Sequence, residues 1–221
     1  MHASRAAGVA MLQRVLPIIL SCMVILSGVP ALAAGNSAPA RFMPTYGITL
    51  PIESHLKFCA RLPQHCEPDD RGTQRVVMTA ERMAQLDEIN RLVNASVRPT
   101  PQEVLYGVKD YWAFPDRQLR GDCNAYTLWK RDLLAVAGWP ISSLLITVVQ
   151  LTNGEGHAVL TARTSEGDFV LDNLSPKVTL WSELPYHFIM RESSVNPKVW
   201  LALDRKLPHE HAAMAPATTK P

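Results

Sequence analysis

The chain has 221 residues, 47% of them hydrophobic and 19% charged, and 22 basic against 20 acidic side chains leave a formal charge of +2. With so even a balance, and no stripe of Lys or Arg interleaved with aromatics, there is no electrostatic footprint for nucleic acid. The length suits one domain with a substantial core.

Residues 1–33 read as a secretory signal peptide. Arg5 and Arg14 stand among no acidic groups, Val15 to Val29 form an apolar run, and Ala31-Leu32-Ala33 offers small residues to a signal peptidase. The run is shorter than the ~20 residues of a spanning helix, so a retained anchor is the lesser reading. Ile19-Leu20-Ser21-Cys22 resembles a lipid-attachment box only faintly, because the apolar stretch continues past Cys22. Removing the segment takes two basic residues and no acidic ones, which leaves a formally neutral chain.

An extended arm rich in Pro, Ala and Gly over residues 36–51 leads to Cys59 and Cys66, seven positions apart in a Pro-flanked stretch with neither helical nor alternating pattern. In an exported chain this pair is expected to form a disulfide. Closing so small a loop contributes roughly 2 to 3 kcal/mol by the chain-entropy argument. A zinc site using His55 and His65 is the competing reading, although the spacing matches no common zinc module.

Thr79 is a plausible N-cap for a helix carrying Met83, Leu86, Ile89 and Val93 on one face. Pro99 and Pro101 end it, and Tyr111 to Pro115 reads as a loop with aromatic anchors. A second helix is expected from Asp122, with Tyr126, Trp129, Leu133 and Val136 in one stripe and Gly138 as its stop. Strand-like segments follow at Leu144 to Leu151, His157 to Arg163, Phe169 to Leu174, Phe188 to Arg191 and Val199 to Leu203. Helices first and antiparallel strands afterwards predict an α+β domain over residues 34–205, with the Cys123 helix packed on the sheet. Residues 206–221 are expected to be a disordered tail, with His209 and His211 solvated.

Cys123 is the odd cysteine of an exported chain, at the start of a helix where free backbone N–H groups and the dipole favour a thiolate. Asp122 beside it acts in the opposite sense, and the sequence leaves the balance open. A thiol nucleophile needs a base, and the base needs an orienting group. His157 and Asp172 are the candidates. A two-residue turn at Thr164-Ser165 would set them directly opposite, one at Glu166-Gly167 would keep them on one face but offset, and a three-residue turn would part the faces. His187 is the rival base, with no acidic partner following within a hairpin's length. Trp112 and Gln118 are candidates for lining the oxyanion or substrate site.

These residues bring a family into view. Phe58-Cys59, Cys66, Val93-Asn94, Tyr111-Trp112 with Pro115, Gly121-Asp122-Cys123, Leu133 to Pro140, Gly156-His157-Ala158-Val159-Leu160 and Phe169-Val170-Leu171-Asp172-Asn173 together resemble the bacterial transglutaminase-like cysteine peptidases. The resemblance implies a papain-like, transglutaminase-type core in a periplasmic hydrolase. It implies a Cys123, His157, Asp172 triad, thioester chemistry and a protein or peptide substrate such as a cell-surface protein, with a membrane receptor as regulator. Transglutaminase-type acyl transfer and a catalytically degenerate peptide- or partner-binding module are the alternatives. Relatives use calcium held by acidic residues in Asp-Cys-Glu-Asp-Tyr, whereas Asp122-Cys123-Asn124-Ala125-Tyr126 has lost two carboxylates. Asp122 and Asn124 would make only a weak site, so no metal and no other cofactor is expected.

Overall fold

A computed structural model describes residues 39–69 and 71–207. The expected signal segment, and all but the first two residues of the expected tail, lie outside them. Among the described residues no helix is long and apolar enough to cross a membrane.

Short strand β1 (Ile48–Thr49) is followed by helix α1 (Glu53–Arg61) and a 3-10 turn at Pro63–His65. Helix α1 corrects the expectation of an irregular arm. Between Pro51 and Pro63 the helix has only nine residues, and the buried face carries Ser54, His55, Phe58 and Cys59 rather than an aliphatic stripe, so no apolar period shows. Glu53 and Lys57 pair across its first turn at 2.7 Å.

Helix α2 (Ala80–Ser96) starts where expected, with the Thr79 hydroxyl accepting from the Arg82 amide at 3.2 Å. Strand β2 (Arg98–Pro99), helix α3 (Gln102–Tyr106) and strand β3 (Arg120–Gly121) follow, and β2 pairs with β3 in parallel. The long helix α4 (Cys123–Val136) ends before Gly138, whose φ of +88° continues the chain in the left-handed region.

Six strands complete the chain: β4 (Leu144–Gln150), β5 (Gly156–Thr164), β6 (Gly167–Leu171), β7 (Thr179–Leu180), β8 (His187–Glu192) and β9 (Trp200–Ala202). With β1 they form an antiparallel sheet in the order β1-β9-β8-β4-β5-β6-β7. The architecture is the mixed helix and antiparallel-sheet type predicted, with α4 packed on the central strands through Leu128, Ile146 and Ala158.

The expected stripe on α4 is corrected in part. Tyr126, Trp129 and Leu133 face α2, packing on Ile89, Val93 and Val97, while Val136 is 82% exposed. The helix is covered on two sides, so Ala125, Thr127, Leu128, Lys130, Arg131 and Leu134 are buried as well. Sequence periodicity finds one face, and polar residues on the other disguise it.

Lys130 is 1% exposed, its Nζ 5.9 Å from the Tyr126 ring centroid. Burial lowers its pKa to about 7, against the opposing charge of Asp172. An unfolded chain binds this proton more readily between about pH 7 and the model-compound value of 10.5, so the penalty is full below pH 7 and fades across that window. Lys130→Met is therefore expected to stabilise the fold by ~1–4 kcal/mol at pH 6, with the gain shrinking toward pH 10 in urea melts.

The hairpin of β5 and β6 is fixed at its closed end. Gly167 has φ +144°, and a Cβ there would lie 2.8 Å from the Arg41 carbonyl oxygen. That carbonyl accepts from the Asp168 amide at 2.8 Å. The buried Asp168 carboxylate accepts from the Met43 amide at 2.8 Å and pairs with Arg75 at 2.6 Å and Arg191 at 3.5 Å.

Candidate active site

Asp122 caps α4, its Oδ1 accepting from the amides of Asn124 at 3.2 Å and Ala125 at 3.5 Å. Burial raises the Asp122 carboxyl above its ordinary pKa even though those amides and the Gln102 side chain favour the anion. Gly121 lies in β3, and the positive φ, 55°, belongs to Leu119. Gly121 is demanded by close approach, because a Cβ there would overlap the Cβ of Ala125 in the first turn of α4.

Cys123 is half-buried and is the unpaired cysteine among the described residues. It opens on a cleft of about 270 Å³ shared with Trp112, Gln102, Asn124, Val148 and His157. His157, near the start of β5, turns Nε2 to Asp172 Oδ1 at 2.8 Å, which leaves Nδ1 unengaged by that carboxylate. Burial disfavours the imidazolium, but hydrogen bonds to Asp172 and Cys123, and their charges, outweigh it and push the His157 pKa up to about 9.

Asp172 is buried, which works against its charge. The His157 ring, the Leu174 amide at 3.0 Å and the Tyr186 hydroxyl at 2.7 Å nevertheless hold it below the usual carboxylate range. Pairing of Thr164 with Gly167 leaves Ser165 and Glu166 as the turn, a register between the two even offsets considered from sequence. It sets Asp172 two positions diagonally from His157 on the same face, within reach of a hydrogen bond.

The structure thus brings Cys123, His157 and Asp172 together and puts Trp112 in the cleft wall, 2% exposed. Gln118 is not there. It is exposed in the turn ending at Leu119, where its amide donates to Asp116 Oδ1 at 2.9 Å. The glutamine in the wall is Gln102, which accepts from the Tyr111 amide at 2.5 Å. Sequence reasoning also missed Tyr186 and Asn94, whose Nδ2 donates to the Asp172 carbonyl at 2.8 Å. Neither carries a local signal, since both reach Asp172 only through the fold.

His187 does have an acidic partner, Asp204 Oδ2 at 2.9 Å, contributed from beyond β9 rather than from a neighbouring turn. It lines a separate cavity of about 480 Å³ walled by Tyr46, Trp181, Tyr186 and Phe188. That cavity is the larger, but it does not contain Cys123.

A sequence profile of the bacterial transglutaminase-like cysteine proteinases (BTLCP) matches residues 45–207. The chain belongs to this family. Similar solved structures in the BTLCP comparison are of LapG from Legionella pneumophila. One is 27% identical with a TM-score of 0.46, covering 54% of this chain and 68% of LapG. A calcium-bound form is 23% identical with a TM-score of 0.47, covering 60% and 74%. An EGTA-treated form is 27% identical with a TM-score of 0.46, covering 54% and 66%. No curated protein matches the chain.

The side chains beside Cys123 in this BTLCP member are engaged otherwise than as a calcium site. Asp122 commits Oδ1 to capping, and the Asn124 Oδ1 lies 3.8 Å from the Cys123 sulfur. Among the described residues, the one cluster of three ligand-type side chains that gathers within ligand distance is His55, Cys59 and Cys66, not a group of carboxylates beside Cys123. The residues at the helix start do not make a calcium cage, which requires six to eight oxygen ligands.

Proposed function

We propose that the protein is a periplasmic cysteine peptidase that cleaves peptide bonds through a thioester on Cys123, with His157 as acid and base and Asp172 as the orienting carboxylate. The observation that carries this reading is the imidazole geometry. Nε2 is engaged by Asp172 at 2.8 Å, so Nδ1 is the nitrogen left for proton transfer, and the ring lines the same cleft as Cys123. The raised His157 pKa, to which the Asp172 and Cys123 contacts contribute, keeps on the imidazole the proton that the leaving amine must receive.

Attack on the scissile carbonyl forms the carbon–sulfur bond. Collapse then breaks the carbon–nitrogen bond, and His157 passes its proton to the departing amine. Water next attacks the thioester, giving a proton to His157, and the sulfur leaves as thiolate. The first-turn position of Cys123 favours anionic charge through the positive end of the α4 dipole, although the Asp122 carboxylate already takes the Asn124 and Ala125 amides. No step is routed through calcium.

The leader-like residues 1–33 and the Cys59–Cys66 bridge support a periplasmic address and an exported or surface protein as substrate. Labelling the protein with a thiol-directed electrophile under non-reducing conditions, then mapping peptides, is expected to mark Cys123 alone among the residues after 33. Neutral-pH labelling of Cys123 no faster than a free model thiol would overturn the reading in favour of a binding module. Incubation with a protein substrate is expected to release new amino termini. Isopeptide cross-links without new termini would assign acyl transfer instead.

A further inference from the structure

Beneath the cleft floor lies a second chemical cluster that the peptidase reading does not use. Cys59 and Cys66 form a buried disulfide with a Cα–Cα separation of 5.5 Å. His55, one turn before Cys59 on α1, lies against it with Nδ1 3.7 Å and Nε2 4.0 Å from the Cys59 sulfur. The donor atoms of all three residues fall within 4.8 Å of one another. His65, the other histidine considered for zinc, is elsewhere: its Nδ1 pairs with Asp132 at 3.6 Å and its ring packs on Phe114.

We propose that, when Cys59 and Cys66 are reduced, this cluster is a zinc site with His55, Cys59 and Cys66 as protein ligands. The donor set is the nitrogen and sulfur kind that zinc takes, and tetrahedral zinc with bonds of ~2.0–2.3 Å places neighbouring ligand atoms ~3.5–3.8 Å apart, close to the present nitrogen–sulfur separations. Nδ1 is the ring nitrogen nearer the sulfur. Nε2 is turned to the fully buried Glu192, 3.3 Å away, as an outer carboxylate that fixes the tautomer of a zinc-bound imidazole.

Charge closes as well. Two thiolates neutralise Zn²⁺, and the Glu192 carboxylate is balanced by Arg131 at 3.1 Å and satisfied by the Ile146 amide at 2.9 Å. A buried site with no residual charge avoids the desolvation cost of an unpaired ion. The redox step also balances. A dithiol supplies two electrons and two protons to the disulfide and itself becomes a disulfide, and Zn²⁺ then displaces the two thiol protons. Bridge and metal are mutually exclusive ways to pin α1 to the 3-10 turn. Either form keeps His55 edge-on to Trp112, at a ring separation of 5.1 Å, and so supports the cleft wall from below.

The test uses the full chain carrying Cys22→Ser and Cys123→Ser, which leaves Cys59 and Cys66 as its two thiols, prepared and kept under a dithiol reductant and titrated with Co²⁺ and then Zn²⁺. The expected result is a thiolate-to-cobalt charge-transfer band saturating at one metal per chain, erased by Zn²⁺ and absent from the oxidised protein. Adding Cys66→Ser should abolish the band. Adding Glu192→Gln should weaken affinity by roughly 10- to 100-fold, an effect that metal capture by an unfolded chain would not show. No band in the reduced protein, a band that survives Cys66→Ser, or an affinity indifferent to Glu192→Gln would overturn the proposal.

Discussion

Cys123→Ala is expected to reduce peptide hydrolysis by on the order of 10⁴-fold or more, because the step that makes the thioester has no other nucleophile. The fold should survive. Cys123 is half-buried at the helix start, where Asp122 supplies the cap through its own carboxylate. The His157 pKa, held at about 9 partly by the Cys123 charge, should fall in the variant when its ring protons are titrated by NMR. In the parent protein, kcat/KM is expected to decline as pH rises through about 9, where His157 loses the proton it must donate. The same proton stabilises the native state. A pKa raised from 6.5 to about 9 contributes fully below pH 6.5, and the contribution is lost as pH climbs through the higher value. An unchanged rate in Cys123→Ala would remove Cys123 from the reaction.

Asp172→Asn is the second large effect, expected to lower kcat by about 10²- to 10⁴-fold while leaving substrate affinity nearly unchanged. An amide cannot offer the imidazolium a charge, and it can present its NH₂ to Nε2 and favour the wrong tautomer. The alkaline limb of the pH profile should move to lower pH, since the Asp172 hydrogen bond and charge both raise the His157 pKa. Tyr186 separates this chemistry from mere packing. Its hydroxyl donates to the other carboxylate oxygen, so Tyr186→Phe, which leaves the charge on Asp172, should cost far less than Asp172→Asn. Equal losses in the two variants would instead mean that Asp172 acts by holding β8 in place.

Where a single face is buried or a cap is local, the sequence was legible. Thr79 and the Met83 to Val93 spacing define α2, and Asp122 marks the start of α4 within one residue. The order of helices and strands, and with it the α+β class, follows from periodicity alone. Helix α1 was illegible because its core face sets the polar His55 and the sulfur of Cys59 beside a single aromatic, Phe58, in a cluster with Trp112 and Trp200. The two-residue parallel pairing of β2 and β3 leaves no alternation to read.

The nucleophile and base could be read from residue type and order, but the distance between His157 and Asp172 could not. It depends on the turn at Ser165 and Glu166, where a shift of one residue flips a face. Gln102 and Tyr186 were beyond reach for a different reason. Each meets the site from an element distant in sequence, and neither residue type announces such a role. Gln118 drew notice by nearness in sequence to Cys123, yet the Asp116 turn directs it to solvent.

Gly121 has no side chain and takes no part in proton transfer, yet it controls the reach of the sulfur. Its backbone touches the first turn of α4 at Ala125, two residues past the nucleophile, where the helix start cannot yield as a long flexible side chain would. Even one methyl group at position 121 would act as a wedge between β3 and α4. The displacement would be carried directly to Cys123, lengthening its path to the ring while every reactive group remained present.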